Sequence, residues 1–286
     1  MVSMPLQLRS GVDKALLISL ALLACTGANA NSNAFRLHSE HAIVVSDETG
    51  QVLFEKGADA PVPIASLTKL VTAIVVLDSK PDMDEVIEID ASDVDALKHS
   101  QSHVPVGAKL SRSDVLRLAL MSSDNRAAAA LARTYAGGPQ AFLDAVHAKL
   151  KVLGMTHTAI KEPSGLSPEN MSSASDLAKL AMAASHYPEI VGITTNRSEF
   201  VRMNGRNVLF RNTNQLVGAR GWDILLSKTG FTNEAGRCLI MRIKQAGKSA
   251  TLVLLNASGN ASRLSDALNV RRFVAGQASF RGPGIR

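Results

Sequence analysis

Ser66 and Lys69 form a pair whose types and spacing suit nucleophilic chemistry, in the segment Ser66-Leu67-Thr68-Lys69. Residues three apart on a helix share a face, so the serine hydroxyl and the lysine amine can meet. A serine needs an adjacent base, and lysine serves only when its pKa falls from about 10.4 toward neutrality. Residues 70–77, which are apolar except for Thr72, predict such burial. A capping serine followed by a lysine that reaches solvent also explains the pair, because such pairs arise readily by chance.

Ser123 and Asn125 form a second polar pair, at the predicted entrance of an alanine-rich helix over residues 125–135. An ordinary helix N-cap explains a serine at this place. The functional hypothesis puts the Ser123 hydroxyl in a cleft as a proton relay. The Asn125 amide would then hold Lys69 and the backbone of a substrate.

Lys228-Thr229-Gly230 is the third group, at the predicted end of a strand. Lys228 and Thr229 offer an ammonium and a hydroxyl to a carboxylate, and Gly230 leaves room for a ligand backbone. Phe231 supplies a backbone N–H. A strand end with a glycine turn is the alternative interpretation. The order Ser-x-x-Lys, Ser-x-Asn, Lys-Thr-Gly in matching predicted structure is a much stronger signal than any single motif.

The elements that must position these motifs predict an α+β fold. Both strand groups would join one antiparallel sheet with flanking helices, and the mainly helical middle, residues 66–217, would form an inserted lobe. A site should lie in the cleft between them. The pattern predicts strands at 42–45, 51–55, 223–228, 238–244 and 250–255, helices at 90–97, 111–121, 125–135, 140–153, 175–186 (stopped by Pro188) and 262–275, and a hairpin turn at Asn204-Gly205.

The composition of the 286 residues, 46% hydrophobic and 20% charged, supports one sizeable core, in one lobe or two. It gives no sign of disorder, a coiled coil or repeats. The net charge of +6 suits an anionic surface such as a membrane or an acidic wall polymer. Basic residues are interleaved with acidic ones and form no cluster with aromatic residues along the sequence. This pattern argues against a nucleic-acid partner.

Residues 1–30 are predicted to be a signal peptide. Arg9 and Lys14 form a positive region, residues 15–24 are apolar, and Ala28-Asn29-Ala30 is a cleavage site, with cleavage after Ala30. A retained anchor is the alternative, but the apolar run is about half of the ~20 residues that a spanning helix needs.

The mature chain, residues 31–286, is predicted to be exported and to form a single catalytic domain. Cys25 lies in a loose match to a lipoprotein cleavage box, which leaves lipidation of Cys25 open. Removal of the signal peptide leaves Cys238 alone, so no intramolecular disulfide is expected. Cys238 is interpreted as a buried strand residue.

The three motifs together are the active-site signature of penicillin-binding proteins and serine β-lactamases. The chain resembles the low-molecular-weight penicillin-binding proteins, the D-Ala-D-Ala peptidase family, and within it the penicillin-binding protein 7-like endopeptidases. The similar segments, which cover essentially the whole mature chain, are residues 63–70, 121–128, Ser164-Gly165-Leu166 with Asn170, Asn212-Thr213-Asn214, 228–233 and Gly236-Arg237-Cys238.

The resemblance implies a penicillin-binding protein/serine β-lactamase-like fold and a periplasmic serine D,D-endopeptidase that acts without a cofactor on peptidoglycan stem peptides and cross-bridges. Penicillins and other β-lactams would acylate it as inhibitors, and membrane association would be at most peripheral. The implied roles are Ser66, Lys69 and Ser123 as catalytic residues, Asn125, Lys228, Thr229 and Gly230 as substrate-binding residues, and the N–H groups of Ser66 and Phe231 as the oxyanion hole.

Several alternatives remain open at this stage. A D,D-carboxypeptidase or a penicillin-sensing module that acylates without turnover would carry the same motifs. A class A β-lactamase would need a loop glutamate to activate water, and Glu162 and Glu169 flank that region without the expected Glu-x-x-Leu-Asn pattern. His99 and His103 are four apart, as in some zinc pairs, but no His-Glu-x-x-His is present, so no metal site is expected.

Overall fold

Thirteen strands and seven α-helices are found in the computed structural model, which describes residues 34–276 and 279–280. The predicted signal peptide, its cleavage site and Cys25 lie outside the described residues. The strands are β1 (Ala34–Phe35), β2 (His41–Ser46), β3 (Val52–Lys56), β4 (Val62–Pro63), β5 (Val86–Glu88), β6 (Lys109–Ser111), β7 (Met171–Ser172), β8 (Ser198–Met203), β9 (Arg206–Arg211), β10 (Asp223–Thr232), β11 (Gly236–Gln245), β12 (Lys248–Ala257) and β13 (Ser279–Phe280).

The α-helices carry the middle and the end of the described chain. Short 3-10 helices at Ala65–Thr68 and Ala91–Asp93 accompany them. The helices are α1 (Lys69–Asp78), α2 (Arg112–Met121), α3 (Asn125–Arg133), α4 (Gly138–Val152), α5 (Ala174–Ala184), α6 (Pro188–Thr195) and α7 (Asn260–Val274).

One five-stranded antiparallel sheet has the order β10-β11-β12-β2-β3. The early hairpin therefore pairs with the late strands, and the predicted α+β fold with one shared sheet is confirmed. Alternate side chains enter two cores: Ile43 and Val253 pack in the core that contains α5, whereas Val44 and Leu252 pack with α7. Because both faces are covered, β2 and β12 read as nearly continuous apolar runs.

Helix α1 runs through the core of the helical part of the molecule and contacts α2, α3, α4 and α5. Such a position requires apolar residues on every side of the helix. Leu70, Val71, Ile74 and Val75 are accordingly buried. The residues that begin this helix are therefore held rigidly by their surroundings.

The predicted strands and most helices are confirmed, with three corrections. Residues 90–97 form only the 3-10 helix Ala91–Asp93, not a longer helix. Pro188 begins α6, because a proline at the first helical position loses no intrahelical hydrogen bond. Lys228-Thr229-Gly230 lies within β10, which continues to Thr232.

The hairpin turn predicted at Asn204-Gly205 is confirmed between β8 and β9. Both turn residues have positive φ, 49° for Asn204 and 76° for Gly205, as a two-residue hairpin turn requires. Within the described ranges, the structure contains no helix of sufficient length and apolar character to cross a membrane.

Candidate active site

Ser66 lies in the 3-10 turn that leads into α1, and Lys69 is the first residue of that helix. The Lys69 Nζ donates a hydrogen bond to the Ser66 Oγ at 2.8 Å. The predicted meeting of hydroxyl and amine is therefore present, because one helical turn separates the two residues.

The backbone around Ser66 is clamped by two glycines. Ala65 has a φ of +48°, an unusual value for a residue with a side chain. A Cβ at Gly165 would lie 1.9 Å from the Ala65 carbonyl oxygen, and one at Gly230 would lie 2.9 Å from the Ile64 carbonyl oxygen and 3.2 Å from the Ser66 nitrogen. The sequence suggested that Gly230 leaves room for the backbone of a ligand. The structure shows that it also leaves room for the turn that carries Ser66, which we call the nucleophile turn.

Lys69 is almost fully buried, with 1% of its surface exposed. Besides Ser66, its Nζ donates to Asn125 Oδ1 at 2.6 Å and to the Ser164 carbonyl oxygen at 2.7 Å. Burial lowers the pKa of Lys69 to about 7, although the carboxylates of Glu162 and Asp124 oppose this shift. An amine with such a pKa is neutral in a substantial fraction of molecules near neutral pH.

Asp124, rather than Ser123, caps α3. Its Oδ1 accepts a hydrogen bond from the Ala127 N–H at 2.9 Å, so the cap expected within Ser122-Ser123-Asp124 is provided by Asp124 and not by Ser123. Ser123 has a φ of +59° and accepts a hydrogen bond from the Lys228 Nζ at 2.8 Å. The cap therefore leaves the Ser123 hydroxyl available in the cleft.

Asn125 is bound at both ends of its amide. Its Oδ1 holds Lys69, as predicted, and its Nδ2 donates to the Ser100 Oγ at 2.9 Å. Ser100 belongs to the loop before β6, and no sequence motif had indicated it. The Asn125 side chain is thus fixed between the lysine and this loop.

Lys228 is the second buried amine, with 1% of its surface exposed. It donates to the Ser123 Oγ and, at 2.9 Å, to the Thr229 carbonyl oxygen. Burial lowers its pKa well below the usual range, and the positive charges of Lys69 and Arg263 lower it further. The neighbouring Thr229 hydroxyl lies 2.6 Å from the Thr213 hydroxyl.

An open cleft of about 430 Å³ lies above these groups. No aspartate or glutamate is among its lining residues in the described part of the chain. The sequence-predicted residues that line it are Ser66, Ser123, Asn125, Thr229, Gly230 and Phe231. The lining residues that the sequence analysis did not assign are Thr213, Gln215, Arg237, Asn260 and Arg263.

Two arginines give one side of the cleft a positive charge. The Arg237 guanidinium carbon lies 3.7 Å from the centre of the exposed Phe231 ring. Arg263 is 6% exposed, donates to Asn260 Oδ1 at 2.6 Å, and has an Nε without a hydrogen-bond partner. Burial and the charge of Arg237 lower the pKa of Arg263. Thr213 and Arg237 fall in segments that carried the family resemblance, whereas nothing in the sequence around Arg263 indicated a site.

Glu162 organises the loop beside Lys69. Its two carboxylate oxygens accept hydrogen bonds from the Ser164 N–H at 2.8 Å, the Gly165 N–H at 2.6 Å and Asn170 Nδ2 at 2.9 Å. The carboxylate is thereby committed to the loop backbone that presents the Ser164 carbonyl to Lys69. Glu169, the other candidate of the β-lactamase hypothesis, is exposed.

The described residues contain no group of three or more histidine, cysteine or acidic side chains that could hold a metal ion. His99 and His103 therefore have no third ligand in this part of the chain, and the zinc hypothesis gains no support. Cys238 is buried in β11, as expected from the sequence, and burial raises its pKa to about 11.

Fold and site together define a serine acyl-transfer enzyme of the penicillin-binding class. The Streptomyces K15 DD-transpeptidase has a similar structure, with a TM-score of 0.79 and 25% identity over 85% of this chain and 99% of that one. The D-alanyl-D-alanine carboxypeptidase family model matches residues 27–259, so the chain belongs to this family of serine D-Ala-D-Ala peptidases.

Two bacterial relatives are similar over most of their length. The chain is 46% identical to a D-alanyl-D-alanine endopeptidase of Pseudomonas aeruginosa over 240 residues, which are 83% of this chain and 77% of the relative. It is 42% identical to a D-alanyl-D-alanine endopeptidase of Escherichia coli over 254 residues, 88% of this chain and 82% of the relative.

Proposed function

We propose that the chain is a periplasmic D,D-endopeptidase that hydrolyses D-Ala-diaminopimelate cross-links of peptidoglycan through an acyl-enzyme on Ser66. The observation that carries this proposal is the 2.8 Å hydrogen bond between Lys69 and Ser66 at the base of the cleft. The printed names of the two endopeptidase relatives support the choice of substrate. The predicted signal peptide supports export.

Acylation begins with proton transfer from Ser66 to neutral Lys69. The serine oxygen then attacks the D-Ala carbonyl carbon, and the negative charge moves to the carbonyl oxygen. The N–H groups of Ser66 and Phe231 form the oxyanion hole that stabilises this charge, which is usually the largest contribution in acyl transfer. The glycine clamp around Ser66 supports this role, because it fixes the direction of the Ser66 N–H.

The leaving amine receives its proton from Ser123. The proton that Lys69 took from Ser66 then replaces the Ser123 proton, which returns Lys69 to its neutral form and leaves Lys228 charged. Lys228 and Thr229 bind the carboxylate next to the scissile nitrogen. That carboxylate is present both in terminal D-Ala-D-Ala and in a D-Ala-diaminopimelate cross-bridge, so these two residues do not choose between the substrates. Arg237 and Arg263 add positive charge to the same side of the cleft.

Lys69 also serves as the base that activates water for hydrolysis of the ester. The hydrogen bonds that commit Glu162 to its loop argue against a class A β-lactamase, in which a glutamate would do this work. Penicillin enters the same acylation route and stays bound to Ser66.

D,D-Carboxypeptidase activity is the second candidate, and the description of the matching family favours it. The two activities differ in the group that leaves: free D-Ala from a monomeric pentapeptide, or a whole stem peptide from a cross-linked dimer. The chain's own motifs accept either leaving group.

The decisive experiment offers purified chain 31–286 a defined cross-linked muropeptide dimer and, separately, a monomeric pentapeptide. We expect conversion of dimer to monomers at a higher kcat/KM than release of free D-Ala. Ser66→Ala is the control and should abolish both reactions. Preferential release of D-Ala would assign a carboxypeptidase instead. Covalent labelling by penicillin without hydrolysis of either substrate would assign a sensing module.

A further inference from the structure

The hairpin of β8 and β9 has two unlike faces. On its inner face Val201, Met203 and Phe210 are buried against the core. On the opposite face, which we call the outer face, Phe200 and Leu209 are directly opposed cross-strand partners, 63% and 39% exposed. The outer face comprises Ser198, Phe200, Arg202, Asn207, Leu209 and Arg211.

Arginines surround this apolar pair. Arg202 and Arg211 lie on the outer face, Arg206 lies opposite Met203 on the inner side of the register beside the turn, and all three are exposed. The ion pairs found within residues 34–276 involve none of the three. Glu199, the acidic residue of the hairpin, lies on the inner side of the register.

The sequence analysis overlooked this cluster of basic and aromatic residues, although Phe200, Arg202, Arg206, Phe210 and Arg211 all fall within residues 200–211. Pairing places Phe200 across from Leu209 and brings Arg211 to the same face. Such a surface needs a partner with both negative charge and an apolar layer. An anionic lipid bilayer supplies both within a few ångströms, whereas a soluble acidic polymer supplies only the charge.

We propose that the outer face is a docking surface for anionic phospholipid membranes. Phe200 and Leu209 enter the boundary between headgroups and acyl chains, and Arg202 and Arg211 bind lipid phosphates. The proposal concerns the surface alone and does not depend on which bond the enzyme cleaves.

The base of the hairpin links this surface to the cleft. The Asn212 side chain donates hydrogen bonds to the carbonyl oxygens of Thr194 and Asn196, at 3.0 and 3.1 Å. The next residue, Thr213, contacts Thr229 in the cleft. Docking through the outer face would therefore hold the cleft at a fixed position relative to the membrane.

The test is co-sedimentation of purified chain 31–286 with vesicles of phosphatidylglycerol and phosphatidylcholine, beside vesicles of phosphatidylcholine alone. We expect binding to the anionic vesicles that weakens as salt rises. The double variant Arg202→Gln/Arg211→Gln should bind about 25-fold more weakly, since each arginine near an anionic surface contributes about a fivefold factor. Phe200→Ser/Leu209→Ser should bind about 10-fold more weakly.

Matched controls remove the same chemistry elsewhere. Val152→Ser deletes a side chain that is 77% exposed on α4, and Arg220→Gln/Arg272→Gln deletes two exposed arginines outside the hairpin. These variants should bind like the unaltered chain. Labelling by a fluorescent penicillin should be unchanged in every variant, since no substituted residue lines the cleft, and this verifies folding.

Two results would overturn the proposal. One is equal sedimentation of the unaltered chain with anionic and neutral vesicles. The other is hairpin variants that bind anionic vesicles as the controls do. A parallel experiment measures binding to insoluble peptidoglycan. If the unaltered chain binds peptidoglycan but not vesicles, and the hairpin variants lose this binding, the outer face binds the wall polymer and the membrane proposal is wrong.

Discussion

Lys69 at the start of α1 and Lys228 in the middle of β10 are both buried beneath the cleft, but their surroundings differ in charge. Lys69 donates to three oxygen acceptors, and the carboxylates of Glu162 and Asp124 favour its charged form. Lys228 donates to two acceptors, and the charges that act on it are positive.

This difference separates two uses of the same side chain. Partial compensation keeps the pKa of Lys69 at about 7, where an amine exchanges its proton readily. Lys228 lacks such compensation within the protein, so a substrate carboxylate would supply it. Both lysines are buried, so burial does not distinguish a base from an anchor. The charged side chains near each amine make that distinction: carboxylates near Lys69 and cations near Lys228.

Lys69→Met should have the largest effect, because it removes the proposed base. We expect the rate of Ser66 acylation by a labelled penicillin to fall about 10³- to 10⁴-fold. Lys69→Arg is the matched control: it keeps a positive charge but cannot release its proton. If Lys69→Arg acylated at the unaltered rate, Lys69 would be acting through its charge alone.

Lys228→Met should lower kcat/KM about 10²-fold for a substrate with a free carboxylate beside the scissile bond, because a charge-assisted hydrogen bond is lost. A substrate whose carboxylate is amidated should lose at least about 10-fold less. The measurement is hydrolysis of both substrates by both proteins. An equal loss for the two would place the main role of Lys228 at Ser123 instead of at the carboxylate.

Gly165→Ala should destabilise the fold by about 3 kcal/mol. The added Cβ would collide with the Ala65 carbonyl oxygen, and the φ of Gly165, +87°, is unfavourable for alanine. The loop concerned supports Lys69 and not Lys228. Gly154→Ala is the control, since Gly154 has a φ of +62° and nothing within 4 Å of the added Cβ. It should cost about 1 kcal/mol. Urea unfolding measures both, and equal costs would contradict the clamp.

The pH dependence of the acylation rate should follow the titration of Lys69. Below a pKa of about 7 Lys69 is protonated and cannot accept a proton, so the rate should fall tenfold per pH unit there and level off above. Glu162→Gln and Asp124→Asn each remove a charge that raises this pKa, so each should move the rising limb to lower pH. Glu169→Gln, an exposed control, should leave it unchanged.

Much of the site was predictable because its contacts are either local or carried by motifs. Ser66 meets Lys69 within one helical turn, which spacing alone predicts. Lys228 and Ser123 are 105 residues apart, and only the order of the motifs suggested that they share a cleft. Arg263 could not be predicted, because packing of α7 against β11 brings it to the cleft without any local signal.

The errors in the fold have local physical causes. Residues 90–97 have a helical pattern, but Asp90 and Asp93 cap each other's backbone, and Asp95 accepts N–H groups from Leu97 and Ser100. These side chains give the backbone an alternative to helix formation.

The strand end predicted at Gly230 was wrong because of a contact with a distant part of the chain. Glycine usually weakens a strand, but here its missing side chain is required by tertiary contact with the nucleophile turn, so β10 continues through it.

The order of strands in the sheet has a consequence for the synthesis and folding of the protein. β2 pairs with β12, and Thr251 bonds Asp47 across 204 positions of the chain. A ribosome that has released only the first half of the protein has therefore released a serine and a lysine without the scaffold that activates them. Lys228, Thr229 and Gly230 lie in β10, which joins β2 only through β11 and β12, so the complete site requires these carboxyl-terminal strands to be in place.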